Sequence, residues 1–331
     1  MLKVGKLDSD VLQRIVIDKI DFHRPEVKTR AGIGEDCAVI DFGDYECVIS
    51  TDPITAAVND IGRLAIHISC NDIASNGIQP LGITLAVMLP EGTSIEDVEM
   101  IMEQAGEAAR NCGVEIIGGH TEVTAAVNQP VIVSTAFGRG LSGASQSARD
   151  MKPGDFILMT KTAGLEGTGI IAGDFREQLG AVLTDQELDY ASQLLNHVSV
   201  VKEGVIAGNI GTSGMHDVTE GGILGAVWEM CHIAGLGAEL WKEEIPVEPV
   251  TMKLATHFDI NYLRLISSGS MLIMAPADKK EQLMKAISDA GVRISCIGQV
   301  KKKEAGIMLL DETGAKAVMP PEADELYKVV K

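Results

Sequence analysis

Apolar positions along this chain recur with two periods, and each change of period marks an element. After Ser9, a residue suited to capping a helix, Leu12, Ile15, Val16 and Ile20 fall at helical spacing and predict a first helix over 9–21. Cys37-Ala-Val-Ile and Glu46-Cys-Val-Ile-Ser read as two short strands around Gly43-Asp44. Residues 60–76 are helix-like, and 82–89 form an apolar, strand-like run closed by Pro90-Glu-Gly. Ser94-Ile-Glu-Asp is a capping box that opens a long helix ending near Cys112-Gly113. Residues 114–117 and 131–137 then read as strands.

The polar, small-residue stretch from Leu141 to Asp150 is the best linker in the chain. Beyond it the pattern predicts strands at 156–160, 238–240, 270–274 and 292–300. Helices are expected near 186–196, 198–208, 220–234 and 278–289. Strands and helices mix in both halves, often at hairpin spacing. The expectation is an α/β (α+β) protein of two domains, 1–150 and 151–331, without repeats.

Composition narrows the class. With 331 residues, 46% hydrophobic and 23% charged, the chain is a globular protein with a sizeable core. No run approaches the roughly 18 apolar residues of a membrane span. The opening Met1-Leu-Lys-Val-Gly-Lys lacks the apolar stretch of a leader, so a cytoplasmic location is expected. The net charge of −19 repels nucleic acid and anionic membranes, so neither is an expected partner. Six scattered cysteines form no C-x-x-C pair, which argues against structural zinc and against a disulfide framework.

Charge also points to chemistry. Asp36 precedes a strand, Asp52 ends the next, Asp72 interrupts an apolar helical stretch, and Gly118-Gly-His-Thr-Glu122 ends a further strand. Carboxylates gathered at one sheet edge repel, and a hard cation is the economical way to hold them together. Asp36, Asp52 and Asp72 are therefore candidate Mg²⁺ ligands, with Glu35 and Glu122 in reserve. Taken singly, each is more often a cap or a turn former; Asp72, mid-pattern, suits that role least. Gly164 and Gly167 lie in a Gly-rich strand-to-helix turn of the kind that brings N–H groups to a phosphate, although no Walker A sequence is present. Asp217 and Thr219 are candidate caps or ligand contacts. His67 reads as a core histidine, while His120 and His216 remain open between ligand contact and turn structure.

At these segments the chain resembles the superfamily of aminoimidazole ribonucleotide synthase, whose members include HypE hydrogenase maturation factors and thiamine-monophosphate kinases. The matching residues are Gly34-Glu-Asp-Cys-Ala-Val-Ile, Thr51-Asp52, Asn71-Asp-Ile-Ala-Ser-Asn-Gly77 with Pro80-Leu81, Gly118-Gly-His-Thr, and Met215-His-Asp-Val-Thr-Glu-Gly-Gly222. Their order and spacing cover nearly the whole chain, and the likeness is greatest to the HypE group. The resemblance implies a two-domain fold and a homodimer whose N-terminal domains pair into a β-barrel. It implies ATP and Mg²⁺ as cofactors, with the metal on Asp36, Asp52 and Asp72, and Asp72 neutralising or orienting the reacting phosphoryl group. Asn71, Gly118, Gly119, His120 and Thr121 would lie on the nucleotide side, with Gly164 and Gly167 near the phosphates. The implied reaction phosphorylates an amide or carbonyl oxygen to drive dehydration or cyclisation. Its rivals are a small-molecule kinase and a non-catalytic ATP-binding partner. Two departures bear on the choice. HypE proteins carry their substrate on a tail cysteine, whereas the last cysteine here, Cys296, falls in a predicted strand. Ser268 stands where they typically have Glu.

Overall fold

The computed structural model describes residues 7, 9–55, 60–321 and 323–329. Most of the opening segment weighed above as a leader lies outside them. Strands β1 (Val27–Thr29), β2 (Ala38–Asp41), β3 (Tyr45–Ile54), β4 (Pro80–Leu89), β5 (Glu115–Val123) and β6 (Val131–Leu141) build one sheet. Their order is β1-β2-β3-β6-β4-β5, antiparallel except for the parallel β4–β5 pair. Two-residue alternation along β3 turns Val48 and Ser50 inward while Tyr45 and Thr51 face out, with Asp52 half-buried on the inner side. On that face lie helices α2 (Ile61–Ser75) and α3 (Ile95–Cys112). The Ser94 capping box with Asp97 and a left-handed Gly113 bound α3 at the two ends that the sequence marks.

The first helix is shorter than its pattern suggests. It comprises α1 (Ser9–Ile15) and a 3₁₀ turn at Ile17–Lys19, and Ile15, Val16 and Ile20 stay exposed.

The second sheet contains β7 (Phe156–Thr160), β8 (Met215–Asp217), β9 (Gly237–Trp241), β10 (Met271–Ala275), β11 (Ile294–Lys301), β12 (Ile307–Asp311) and β13 (Gly314–Ala317). Its order is β13-β12-β9-β11-β7-β10-β8, with only β12–β9 parallel. Around it run α4 (Leu165–Asp174), the short α5 (Arg176–Leu179), α6 (Asp185–Gln193), α7 (Val201–Ile210), α8 (Gly222–Ala234), α9 (Pro249–Phe258) and α10 (Lys280–Asp289). Cys296 lies in β11, in keeping with its predicted strand. No described helix is long and apolar enough to cross a membrane.

The two halves meet along α2 and α7. A Cβ on Gly204 would sit 2.6 Å from the Ala74 carbonyl oxygen, and one on Gly208 would sit 2.4 Å from that of Gly77, so only glycine permits this approach. Asn71 clamps the same seam: its Nδ2 donates to the Val198 carbonyl and its Oδ1 accepts from the Val200 N–H, each at 2.8 Å. One apolar core runs across it, from Ile66 and Ile73 to Leu165, Ile171 and Leu194.

Candidate functional site

Acidic side chains from both halves converge beside α2. Ser50 on β3 donates to Asp72 Oδ2 at 2.5 Å and lies 3.4 Å from Asp52 Oδ2. Across the seam stands β8, all three of whose residues are buried, a strand absent from those expected from the sequence. His216 Nδ1 lies 2.9 Å from Asp36 Oδ2, and its Nε2 lies 3.1 Å from Glu229 Oε2 on α8. Burial opposes the charged ring, but the Asp36 and Glu229 carboxylates outweigh it and push its pKa well above the ordinary value. His216 thus stands between two carboxylates as their counter-charge, with a ring nitrogen in the same group of donors as Asp36 and Asp217.

Asp217 has no solvent exposure. Its N–H donates to Ser75 Oγ at 3.0 Å, and its Oδ1 lies 3.3 Å from the same hydroxyl. Its Oδ2 has no hydrogen-bond partner. Burial first, then Asp36, push its pKa up to about 7, against the pull of His216. Burial, then Asp217 and Asp52, push Asp72 well above the carboxylate range. Donor atoms of Asp36, His216 and Asp217 lie within 4.8 Å of one another. A buried carboxylate oxygen without a proton donor, set among three further carboxylates, fits a hard divalent cation.

The structure thus brings Asp36, Asp52 and Asp72 together and adds Asp217. As a helix cap, Asp217 is replaced by Gly221, whose N–H is held instead by Asp324 Oδ2 at 2.7 Å; Thr219 supplies no side-chain cap either. Other candidates go elsewhere. Asn71 spends its amide on the Val198–Val200 backbone, away from Asp72. Glu35 is tied to Arg149 at 2.6 Å. Gly118, Gly119, His120, Thr121 and Glu122 form the closing part of β5, within the strand rather than in a loop beyond it, at the sheet edge with β6 and β4 between them and β3. There Gly119 lets β5 close on β4, since a Cβ would meet the Leu85 carbonyl oxygen at 1.9 Å. His120 and Glu122 pair with each other at 3.3 Å, exposed.

The Gly164–Gly167 turn is also redirected. A Cβ on Gly167 would strike Leu265 Cγ at 2.5 Å. The Leu165 N–H is bonded to Ser267 Oγ and the Gly167 N–H to the Ile266 carbonyl, so these amides serve the protein's own chain rather than a phosphate. Within the turn stands a carboxylate that pattern reading passes over. Glu166 is buried against Ser268, its Oε2 has no hydrogen-bond partner, and burial lifts its pKa to about 7 against the effect of Ser268. The departure at Ser268 thus leaves a carboxyl group at that place, contributed by α4.

Comparison with known proteins bears on the whole chain. Residues 34–140 match the family model of the AIR synthase related protein N-terminal domain, and residues 152–311 that of its C-terminal domain. The chain is 26% identical to a putative hydrogenase expression/formation protein of Methanocaldococcus jannaschii, over 98% of this chain and 97% of that one. It is 30% identical to carbamoyl dehydratase HypE of Bradyrhizobium diazoefficiens, over 73% of this chain and 70% of the other. A solved HypE–HypF complex shares the fold at a TM-score of 0.78 and 23% identity, covering 94% and 99% of the two chains. A HypE structure in complex with ATP gives 0.74 and 21%, over 98% and 97%. A thiamine-monophosphate kinase from Stenotrophomonas maltophilia gives 0.69 and 20%, over 90% and 95%.

Proposed function

The chain belongs to the AIR synthase related family, and from that premise we propose that it is a magnesium- and ATP-dependent enzyme of the HypE kind. Its reaction phosphorylates an amide or carbonyl oxygen so that phosphate can leave and dehydration follow. The relatives named carbamoyl dehydratase and the HypE structure that holds ATP support this reading. The observation that carries it is the unpaired Oδ2 of buried Asp217 among Asp36, Asp52 and Asp72.

Asp36, Asp52 and Asp217 would hold Mg²⁺, which neutralises phosphate charge as it moves in the transition state. His216, charged and fixed between Asp36 and Glu229, orients the Asp36 carboxylate. Asp72, held by the Ser50 hydroxyl, stands beside these ligands as the group that orients the reacting phosphoryl. Seclusion from water on α2 strengthens each of these interactions. The exposed edge of β5 and the uncovered Ile15, Val16 and Ile20 at and just after the end of α1 support a homodimer in which this sheet edge is paired. A protein-borne acceptor is in keeping with the HypE–HypF complex among the structural neighbours. A small-molecule kinase is the second reading, favoured by the shared thiamine-monophosphate kinase fold.

The test is calorimetric titration of ATP, with and without Mg²⁺, into wild type, Asp72→Asn and Asp217→Asn. Binding should require Mg²⁺ and weaken by roughly tenfold or more in Asp217→Asn. Absence of binding in wild type would sink the reading. Where turnover is found, free phosphate indicates dehydration, and phosphate retained on the acceptor indicates a kinase.

A further inference from the structure

The face of α2 turned away from Asp72 carries a second buried cluster, with different chemistry. His67 and Cys70 lie three residues apart on one side of the helix, while Cys70 and Asp72, two apart, point in nearly opposite directions. Cys112, the last residue of α3, brings its Sγ to 3.2 Å from His67 Nδ1 and 3.9 Å from Ser199 Oγ. The Cys70 thiol is its other close electrostatic partner. His67, Cys70 and Cys112 are 7%, 0% and 5% exposed. Yet Cys112 forms part of the wall of a cleft of about 600 Å³ between the two halves, together with Gln79, Lys161, Asn196, Lys202 and Arg293. Of the two thiols, only Cys112 borders that cleft.

This is not a metal site. Among the described residues, the one group of histidine, cysteine and acidic side chains with donors close enough to share an ion is Asp36–His216–Asp217. What the geometry does provide is a thiol set against a histidine ring nitrogen at the wall of a cleft, with a second thiol next to it. The other five cysteines all have their thiols pushed up, chiefly by burial in Cys37, Cys47, Cys231 and Cys296. Cys112 is held down at about 5, first by Cys70 and, against burial, by His67.

We propose that Cys112 is a redox modification site, oxidised by hydrogen peroxide entering the cleft and resolved by Cys70 into a disulfide. The Cys112 thiolate attacks one peroxide oxygen, the O–O bond breaks, and hydroxide leaves. Sulfur is oxidised by two electrons to a sulfenic acid as peroxide is reduced. The Cys70 sulfur then attacks Cys112 Sγ; the S–O bond breaks, an S–S bond forms, and the oxygen departs as water with the Cys70 proton. A dithiol reductant reverses the change. The proposal stands independently of any nucleotide site.

Its test is treatment of the full chain with equimolar hydrogen peroxide, followed by alkylation and peptide mass mapping. Wild type should lose two hydrogens and yield a linked Cys70–Cys112 peptide that dithiothreitol separates. Cys70→Ser should stop at a Cys112 sulfenic acid trapped by dimedone, and Cys112→Ser should form neither. In unoxidised wild type, Cys112 should alkylate roughly tenfold or more faster than Cys37 or Cys231. The wild-type map decides the matter even if a variant fails to fold. Cys70 and Cys112 both remaining alkylatable after peroxide, or another cysteine oxidising first, would overturn the proposal.

Discussion

Two buried charges in this molecule sit in opposite circumstances. Lys161 Nζ is bonded to Glu203 Oε1 at 2.5 Å and to the Ser199 and Gly269 carbonyls at 2.7 Å each. Asp217, more deeply buried still, leaves one carboxylate oxygen with no partner and faces further carboxylates, with His216 as the one opposing charge. Both segments carry Gly-rich motifs, and both look functional in sequence. The difference teaches where to look: the satisfied charge holds the chain together, whereas the unsatisfied one awaits something that the chain does not contain.

The comparison is broken most severely by removing the compensation at Lys161. Glu203→Ala strands a buried ammonium and should cost about 3–5 kcal/mol in urea unfolding; a loss below about 1 kcal/mol would mean that Lys161 is not held as described. Acidity sharpens the other side. Asp217, raised from 3.8 to about 7, makes the native state bind more protons than the unfolded chain across that window. The contribution of Asp217 to stability without divalent cation is therefore greatest below about pH 4 and falls as pH rises towards 7, by on the order of 4 kcal/mol. Thermal unfolding against pH reads this, and millimolar MgCl₂ should restore the loss near neutrality. A stability that instead rises with pH over this range, with or without Mg²⁺, would count against the cluster. The smallest effect belongs to Glu166, buried but lifted to about 7. Glu166→Gln keeps the shape of the neutral acid and should change stability by less than about 1 kcal/mol in the same urea assay.

Elements with one clean period were legible in the sequence. Helix α2 fills 61–75 against an expected 60–76, and the Ser94 box opens α3 as expected. The clustering of Asp36, Asp52 and Asp72 was also legible, because a charge inside an apolar helical pattern needs a reason. Segments whose polarity serves burial were not. Met215-His-Asp looks like a loop because a strand with a buried His-Asp pair breaks alternation, so Asp217 stood open between a cap and a ligand contact. Gly118-Gly119 and Gly164–Gly167 resemble ligand turns, yet the missing side chain of Gly119 makes room for Leu85 and those of Gly164 and Gly167 for Leu265, a second use of glycine that the pattern shares with the first. Asn71, beside Asp72 in sequence, is rotated to another face, which spacing along a helix already implies. Helix α9 and strands β1, β12 and β13 are short and fall where no period was assigned.

The glycine seam between α2 and α7 has a consequence for how the molecule comes apart. Gly204 and Gly208 touch the opposing backbone, Asn71 stitches it, and one apolar core crosses it. Neither half can leave without baring a flat groove of backbone and an unsatisfied amide, so opening at this seam carries most of the cost of global unfolding. The expected outcome in calorimetry is a single cooperative unfolding transition. The carboxylates that face each other across the seam are never far apart while any of the fold survives.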